Sequence, residues 1–68
     1  MIYKRIRDLR EDNDLTQTQL ADYLNTTQRT YSRYETGHSA VPIEVFSMLA
    51  DYYDTTIDYL ANRTDRIR

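Results

Sequence analysis

The sequence predicts an all-α fold, a compact bundle of five helices. The 68 residues include one glycine and one proline, whereas a β-sandwich or barrel needs many turns. Apolar residues recur mostly three and four positions apart, the spacing of one helix face. The chain has no cysteine, so no disulfide or thiolate metal site stabilises it. We therefore expect a single domain stabilised by helix packing or by a partner subunit.

The first helix is predicted over about residues 2–12. Ile2, Ile6 and Leu9 follow the i, i+4, i+7 spacing and share one face. Charged residues lie on the other side, and Arg10 falls at the edge of the apolar stripe. This helix should therefore pack on the core through its three aliphatic residues.

The second helix, residues 17–24, has the clearest start signal in the sequence. Thr16 and Gln19 have the spacing of a capping box. Asn25, which tolerates a left-handed backbone, is placed to end the helix. The residues expected to be buried are Leu20, Ala21 and Leu24.

The third helix is predicted to begin directly after the N-cap Thr27 and to end at Gly37, a left-handed cap. Tyr31 and Tyr34 should turn toward the core. The opposite face then carries four polar residues: Gln28, Arg29, Ser32 and Arg33.

Two further helices complete the predicted bundle. The fourth has Pro42 in its first turn and runs to about Tyr53. A short fifth helix starts at Thr55 or Thr56. The residues from 62 onward are polar and are expected to fray.

The link between the second and third helices spans only residues 25–27, which forces a sharp angle between them. The polar face of the third helix then projects from the domain. Glutamine can bond adenine, and arginine can bond guanine, through two hydrogen bonds in the major groove. We therefore predict that this face reads DNA bases. Phosphate contacts are predicted near the two helix N-termini, at Gln17, Thr18, Thr26 and Thr27.

The segment 15–37, LTQTQLADYLNTTQRTYSRYETG, resembles the Cro and phage-repressor type of helix-turn-helix domain, the XRE family. The likeness extends outward on both sides through IRDLRED and LADYYDTTIDYLANRTD. It implies a five-helix domain over residues 1–62, with the helix-turn-helix at 17–35 and a short tail at 63–68. It also implies operator binding, usually as a dimer, with Gln17 on phosphate and an ion pair between Arg10 and Glu35.

Two positions depart from the family pattern. Asn25 stands where glycine is common in the turn. The loop after Gly37 lacks the basic residues that often grip phosphate, so His38 and Ser39 are the candidate contacts there. The net charge of −2 agrees with weak non-specific affinity, although positive charge gathers in residues 1–10, 25–40 and 61–68.

We predict a transcriptional repressor that binds a near-palindromic operator in double-stranded DNA as a homodimer. Gln17→Ala should weaken binding equally on all sequences. The alternative is a protein-interaction module, such as an antitoxin or antirepressor. Neither an enzyme site nor a cofactor, small-molecule ligand or membrane segment is expected, and the location should be cytoplasmic, at the nucleoid. The expected dimer patch consists of Met48, Tyr52 and Tyr59.

Overall fold

The computed structural model describes residues 2–68, and within this range it is all-helical. The predicted all-α bundle is confirmed. Its helices are α1 (Lys4–Asp12), α2 (Gln17–Tyr23), α3 (Gln28–Thr36), α4 (Ile43–Tyr53) and α5 (Ile57–Leu60).

The start of α1 differs from the prediction. Ile2 precedes the helix and is 60% exposed, so its assignment to the buried face is wrong. The helix begins at Lys4, and Tyr3 packs inward instead, with its ring edge-on to Phe46 at 5.0 Å between centroids. Because Ile2 lies outside the helical register, the i, i+4 spacing to Ile6 does not place it on the core.

The α2–α3 unit forms as the local sequence predicts. Thr16 and Gln19 make both bonds of the capping box at the start of α2. Asn25 has φ 59°, and the chain turns there into α3. Ala21 is 1% exposed, so its small side chain allows the two helices to pack closely.

Helices α3, α4 and α5 have equally local boundaries. Gly37 ends α3 in the left-handed conformation with φ 82°. Pro42 stands just before α4 rather than inside it. Thr56 caps α5 by accepting a hydrogen bond from the Tyr59 amide. The core enclosed by all five helices consists of Ile6, Leu20, Ala21, Leu24, Tyr31, Phe46, Leu49, Ala50 and Leu60.

The C-terminal residues 62–68 lie outside the helices, and Asp65 and Arg68 pair with residues of the body of the domain. Arg5 of α1 pairs with Asp65 at 2.9 Å. Arg68 pairs with Asp54, the residue that ends α4, at 2.7 Å. The Asp65, Arg68 and Asp54 side chains are exposed, so water screens both pairs. Apolar periodicity does not report such contacts.

Candidate nucleic-acid interface

The four residues predicted to contact bases form one continuous surface, which we call the α3 face: Gln28, Arg29, Ser32 and Arg33. Gln28, Arg29 and Arg33 are exposed, and Ser32 is half-buried. Together with Thr36 and His38 they line an open hollow. Neither arginine forms an ion pair or a side-chain hydrogen bond within residues 2–68, so their guanidinium donors are not engaged by this part of the chain.

The opposite side of α3 anchors the helix in the domain. Tyr31 is fully buried, and Glu35 is 6% exposed. Arg10 of α1 holds the Glu35 carboxylate with two hydrogen bonds, Nε to Oε2 at 2.7 Å and Nη2 to Oε1 at 3.2 Å. Arg10 also donates to the Leu15 carbonyl at 2.9 Å. This ion pair ties α1 to the last turn of α3, so the orientation of the α3 face is set from within the molecule.

The ion pair controls the protonation of its surroundings. Burial by itself raises the pKa of the Glu35 carboxyl, but hydrogen bonds from Arg10 and Gln17 outweigh this effect, and the pKa lies below its usual value. The pKa of Tyr31 is raised, first by burial and then by the nearby Glu35 carboxylate. The Tyr31 hydroxyl nevertheless has no hydrogen-bond partner of good geometry within residues 2–68. Because the pKa of Glu35 lies below its usual value of 4.5, Glu35 is ionised at neutral pH.

Gln17 connects this ion pair to the α3 face. Its Nε2 donates to Glu35 Oε1 at 3.2 Å, and its Oε1 accepts a hydrogen bond from Gln28 Nε2 at 2.6 Å. The residue predicted to contact phosphate is thus bonded directly to one predicted to contact a base. Sequence spacing did not indicate this contact, because the two residues belong to different helices.

The other residues predicted to contact phosphate lie around the α3 face with varied freedom. Thr18 and Thr27 are exposed, but the Thr27 hydroxyl caps α3 by accepting from the Thr30 amide at 3.1 Å. It also donates to the Thr30 hydroxyl at 2.9 Å. His38 is exposed, and its Nδ1 lies 2.8 Å from the Thr36 hydroxyl. Thr26 and Ser39 are half-buried.

Thr36 joins two surfaces and was not singled out from the sequence. It lines the hollow of the α3 face and also a second groove beside α1. Its position four residues after Ser32 is the signal that could have included it in the same helix face. The second groove is lined by Ile2, Lys4, Arg7, Asp8, Arg10, Glu11, Gln17, Glu35 and Thr36.

The three residues predicted as a dimer patch lie in two different settings. Tyr23 of α2 donates its hydroxyl to the Met48 carbonyl at 2.9 Å, and its ring lies 4.7 Å from that of Tyr52. Tyr59 lies instead under Arg5, whose guanidinium carbon is 4.1 Å from the ring centroid. We call Tyr23, Met48 and Tyr52 the aromatic side. Tyr23 belongs to it although its sequence position alone gave no reason to include it.

Two other kinds of site concern residues 2–68, a metal site and a membrane-spanning helix. No three His, Cys, Asp or Glu side chains converge there as metal ligands do. None of the helices in this range combines the length and the apolar character that crossing a bilayer requires.

Two short capped helices joined by a tight turn, the second presenting an exposed polar face, define a helix-turn-helix domain. The profile of the helix-turn-helix family matches residues 6–60. The chain therefore belongs to this family and is of the XRE type, which confirms the resemblance seen in the sequence.

Relatives in bacteria support the prediction of a DNA-binding regulator. The chain is 34% identical over 65 residues to the uncharacterized HTH-type transcriptional regulator YobD of Bacillus subtilis, covering 96% of this chain and 58% of that protein. It is 37% identical over 59 residues to the HTH-type transcriptional regulator AnsR of Bacillus subtilis, covering 87% of this chain and 51% of AnsR.

A third relative has a phage origin. The chain is 32% identical over 65 residues to the cryptic phage CTXphi transcriptional repressor RstR of Vibrio cholerae, covering 96% of this chain and 59% of RstR. The chain thus spans little more than half the length of these curated relatives. No solved structure gives a significant match.

Proposed function

We propose that the chain is a sequence-specific DNA-binding regulator that represses transcription by occupying a near-palindromic operator as a homodimer. The observation that carries this proposal is the α3 face. Its polar side chains lie open around one hollow, while Tyr31 and Glu35 fix the other side of the helix in the core.

The α3 face has the chemistry that base recognition in the major groove requires. The first residues of such a helix lie nearest the bases, and here these are Gln28 and Arg29. Arg33 follows one turn later, and its guanidinium suits the O6 and N7 acceptors of guanine. The Gln28 amide suits the N6 donor and N7 acceptor of adenine.

Phosphate contacts in this proposal come mainly from uncharged groups. Gln17 and Thr18 stand at the start of α2, and Thr27 stands at the start of α3. Lys4 and Arg7 in the groove beside α1 share that groove with Asp8 and Glu11, so the net positive charge near the α3 face is small. Few counterions are then released on binding. We therefore expect a shallow dependence of affinity on salt.

The homodimer is the second part of the proposal. Two α3 helices would enter successive major grooves about 34 Å apart, and a two-fold protein then requires a near-palindromic site. We assign the subunit contact to the aromatic side, where Tyr23 and Tyr52 are 37% and 43% exposed. The repressor part of the proposal is supported by the likeness to RstR, which is named a repressor.

Titration of the ¹⁵N-labelled protein with a random-sequence duplex pool tests DNA binding without knowledge of the operator. Non-specific dissociation constants of about 10⁻⁴–10⁻⁶ M are within the range of this method. We expect amide shifts at the α3 face and at the starts of α2 and α3, which fade as salt is raised. Absence of any shift, or shifts confined to the aromatic side, would overturn the proposal.

One observation favours a second candidate function, a protein-interaction module. Asp22 and Asp51 are exposed beside the aromatic side, and neither forms an ion pair within residues 2–68. An acidic, aromatic surface of this kind suits a basic protein partner. The same titration separates the two candidates, because a module that binds only proteins gives no shifts with any duplex.

A further inference from the structure

Glu35 carries an ionised carboxylate, held by Arg10, that can accept hydrogen bonds but cannot donate them. The amide of Gln17 lies 3.2 Å from Glu35 Oε1. The end of the amide that faces Glu35 must therefore be the NH₂ group, since a carbonyl there would face another acceptor. This conclusion follows from the distance and from the chemistry of the carboxylate alone.

The direction of the Gln17 amide then determines that of Gln28. With its NH₂ group turned to Glu35, Gln17 directs its carbonyl oxygen at the Gln28 amide, 2.6 Å away. A carbonyl only accepts, so Gln28 must direct its own NH₂ group at Gln17. Both amides are thus oriented by a buried group that does not belong to the exposed surface.

We propose that Glu35 is a positioning residue that, through Gln17, fixes the direction of the Gln28 amide and thereby its preference for adenine. This inference rests on the proposed DNA-binding function. In the fixed direction Gln28 retains a carbonyl oxygen and one N–H for the base. This pair matches the N6 donor and N7 acceptor of adenine, whereas guanine presents two acceptors at O6 and N7.

The same direction serves the phosphate contact of Gln17. The Gln17 NH₂ group has two N–H bonds, and the bond to Glu35 uses one of them. The other N–H remains for a phosphate oxygen. One buried carboxylate therefore orients both the group proposed to hold the backbone and the group proposed to read a base.

Glu35→Gln is the most direct test. Glutamine keeps the shape of the side chain. With its carbonyl in place of Oε2 it still accepts from Arg10 Nε, and its NH₂ group then takes the place of Oε1 and faces Gln17, with loss of the longer bond from Arg10 Nη2. That change reverses the direction of the side-chain amides of Gln17 and Gln28. At the base position that loses its preference in Gln28→Ala, we expect the preference for adenine over guanine to fall from roughly tenfold to within about threefold.

The control for the change in charge is Glu44→Gln. Glu44 is an exposed carboxylate in the first turn of α4 and makes no contact with Gln17 or Gln28. The Glu44→Gln substitution removes the same charge. It should therefore raise affinity for all duplexes to a similar degree and leave the adenine preference unchanged. A merely structural role of Glu35 would change the stability and the overall affinity but not the base preference of the folded variant.

Gln17→Lys provides a second test that keeps the buried ion pair intact. Lysine can donate to Glu35 and to phosphate, but it offers no acceptor for Gln28. We expect affinity for random duplexes to be kept or increased, while the adenine preference falls as in Glu35→Gln. Because Gln17 bonds to Gln28, this expectation differs from the one drawn from sequence alone, in which Gln17 acts equally on all sequences. This variant decides the question if Glu35→Gln does not fold.

The outcomes separate this inference from the proposed function. If the wild type binds no duplex, the proposed function fails. If it binds and prefers adenine, and the folded variants keep that preference, the role of Glu35 is overturned. Nuclear Overhauser contacts in the free protein provide a readout without DNA. In the wild type the Gln17 amide protons should give stronger contacts to the Glu35 methylenes than to the Gln28 amide protons, and the reverse order would contradict the proposed direction.

Discussion

The α3 face and the aromatic side use exposed residues in different ways. On the α3 face, hydrogen bonds to residues of a neighbouring helix orient polar groups. The Gln28 amide, for example, donates to the Gln17 carbonyl oxygen. On the aromatic side, Tyr23 and Tyr52 present flat rings, and the hydroxyl of Tyr23 is already used by the Met48 carbonyl. Directed donors and acceptors suit base edges, whereas flat apolar area suits packing against protein. We therefore propose that the first surface recognises DNA and that the second mediates self-association.

The largest effect is expected where the α3 face is anchored. Glu35→Ala leaves Arg10 without its partner, and breaking a buried pair costs about 3–5 kcal/mol of unfolding free energy. In a domain of this size such a loss approaches the whole stability. Urea denaturation followed by circular dichroism measures it.

The matched control is Glu11→Ala, which removes the exposed pair with Arg7 at 3.5 Å. Its cost should be about 0.5 kcal/mol or less, because water screens both charges. Equal effects of the two substitutions would show that the anchor is no stronger than a surface pair.

The next largest effect is expected on the α3 face, where it is measured as affinity and base preference. Arg33→Ala should cost about 1–3 kcal/mol of binding to a selected duplex and relax the preference at one base position. Arg63→Ala removes another exposed arginine, which pairs with Asp58 at 3.9 Å, and it should leave base preference unchanged. An unchanged profile for Arg33→Ala would remove that residue from the proposed base contacts.

A smaller effect is expected on the aromatic side. Tyr52→Ala removes an exposed ring that packs against Tyr23 at a tilt of 52°, and we expect self-association to weaken by about 1 kcal/mol, roughly fivefold. Sedimentation equilibrium measures the change, and amide shifts on α3 with random duplexes should persist. A dimer that is unaffected by Tyr52→Ala places the subunit contact elsewhere.

The pH dependence of stability concerns groups beneath the α3 face. The pKa of Glu35 is lowered on folding, so its contribution is present above its usual pKa of 4.5 and is lost as the pH falls through the lower folded value. The pKa values of Tyr31 and Tyr53 are raised, chiefly by burial, so their contribution is complete below pH 10 and is lost as the pH rises further. The melting temperature should thus be highest between these limits. A melting temperature that rises above pH 10 would contradict this sign.

The smallest effect is expected from removal of the two buried hydroxyls. Neither Tyr31 nor Tyr53 has a hydrogen-bond partner for its hydroxyl within residues 2–68. The double substitution to phenylalanine should therefore change the unfolding free energy by less than about 1 kcal/mol. It should also remove most of the alkaline loss of stability. A large destabilisation would show that the hydroxyls are satisfied.

Local signals predicted the fold well because they act over a few residues. The capping box at Thr16, the left-handed Asn25 and the Gly37 cap are all found as expected. Each depends on backbone geometry that a single residue type favours. The start of α1 was predicted too early, and Ile2 was misplaced, because no cap residue marks the helix start there.

Contacts between distant residues were not predictable in the same way. The bond from Gln17 to Gln28 and the ring contact between Tyr23 and Tyr52 join different helices. Periodicity tells which face of a helix is polar, but it does not tell which side chain of a neighbouring helix reaches that face. The candidate site could thus be predicted as a set of residues, whereas its hydrogen-bond directions required the structure.

Selection of bound duplexes from a random pool tests the central claim most directly. The wild type should enrich a near-palindromic site with half-site centres about 34 Å apart, and the double variant Gln28→Ala, Arg33→Ala should enrich no such site. Enrichment of the same site by both proteins, or of none by the wild type, would contradict the assignment of the α3 face to DNA.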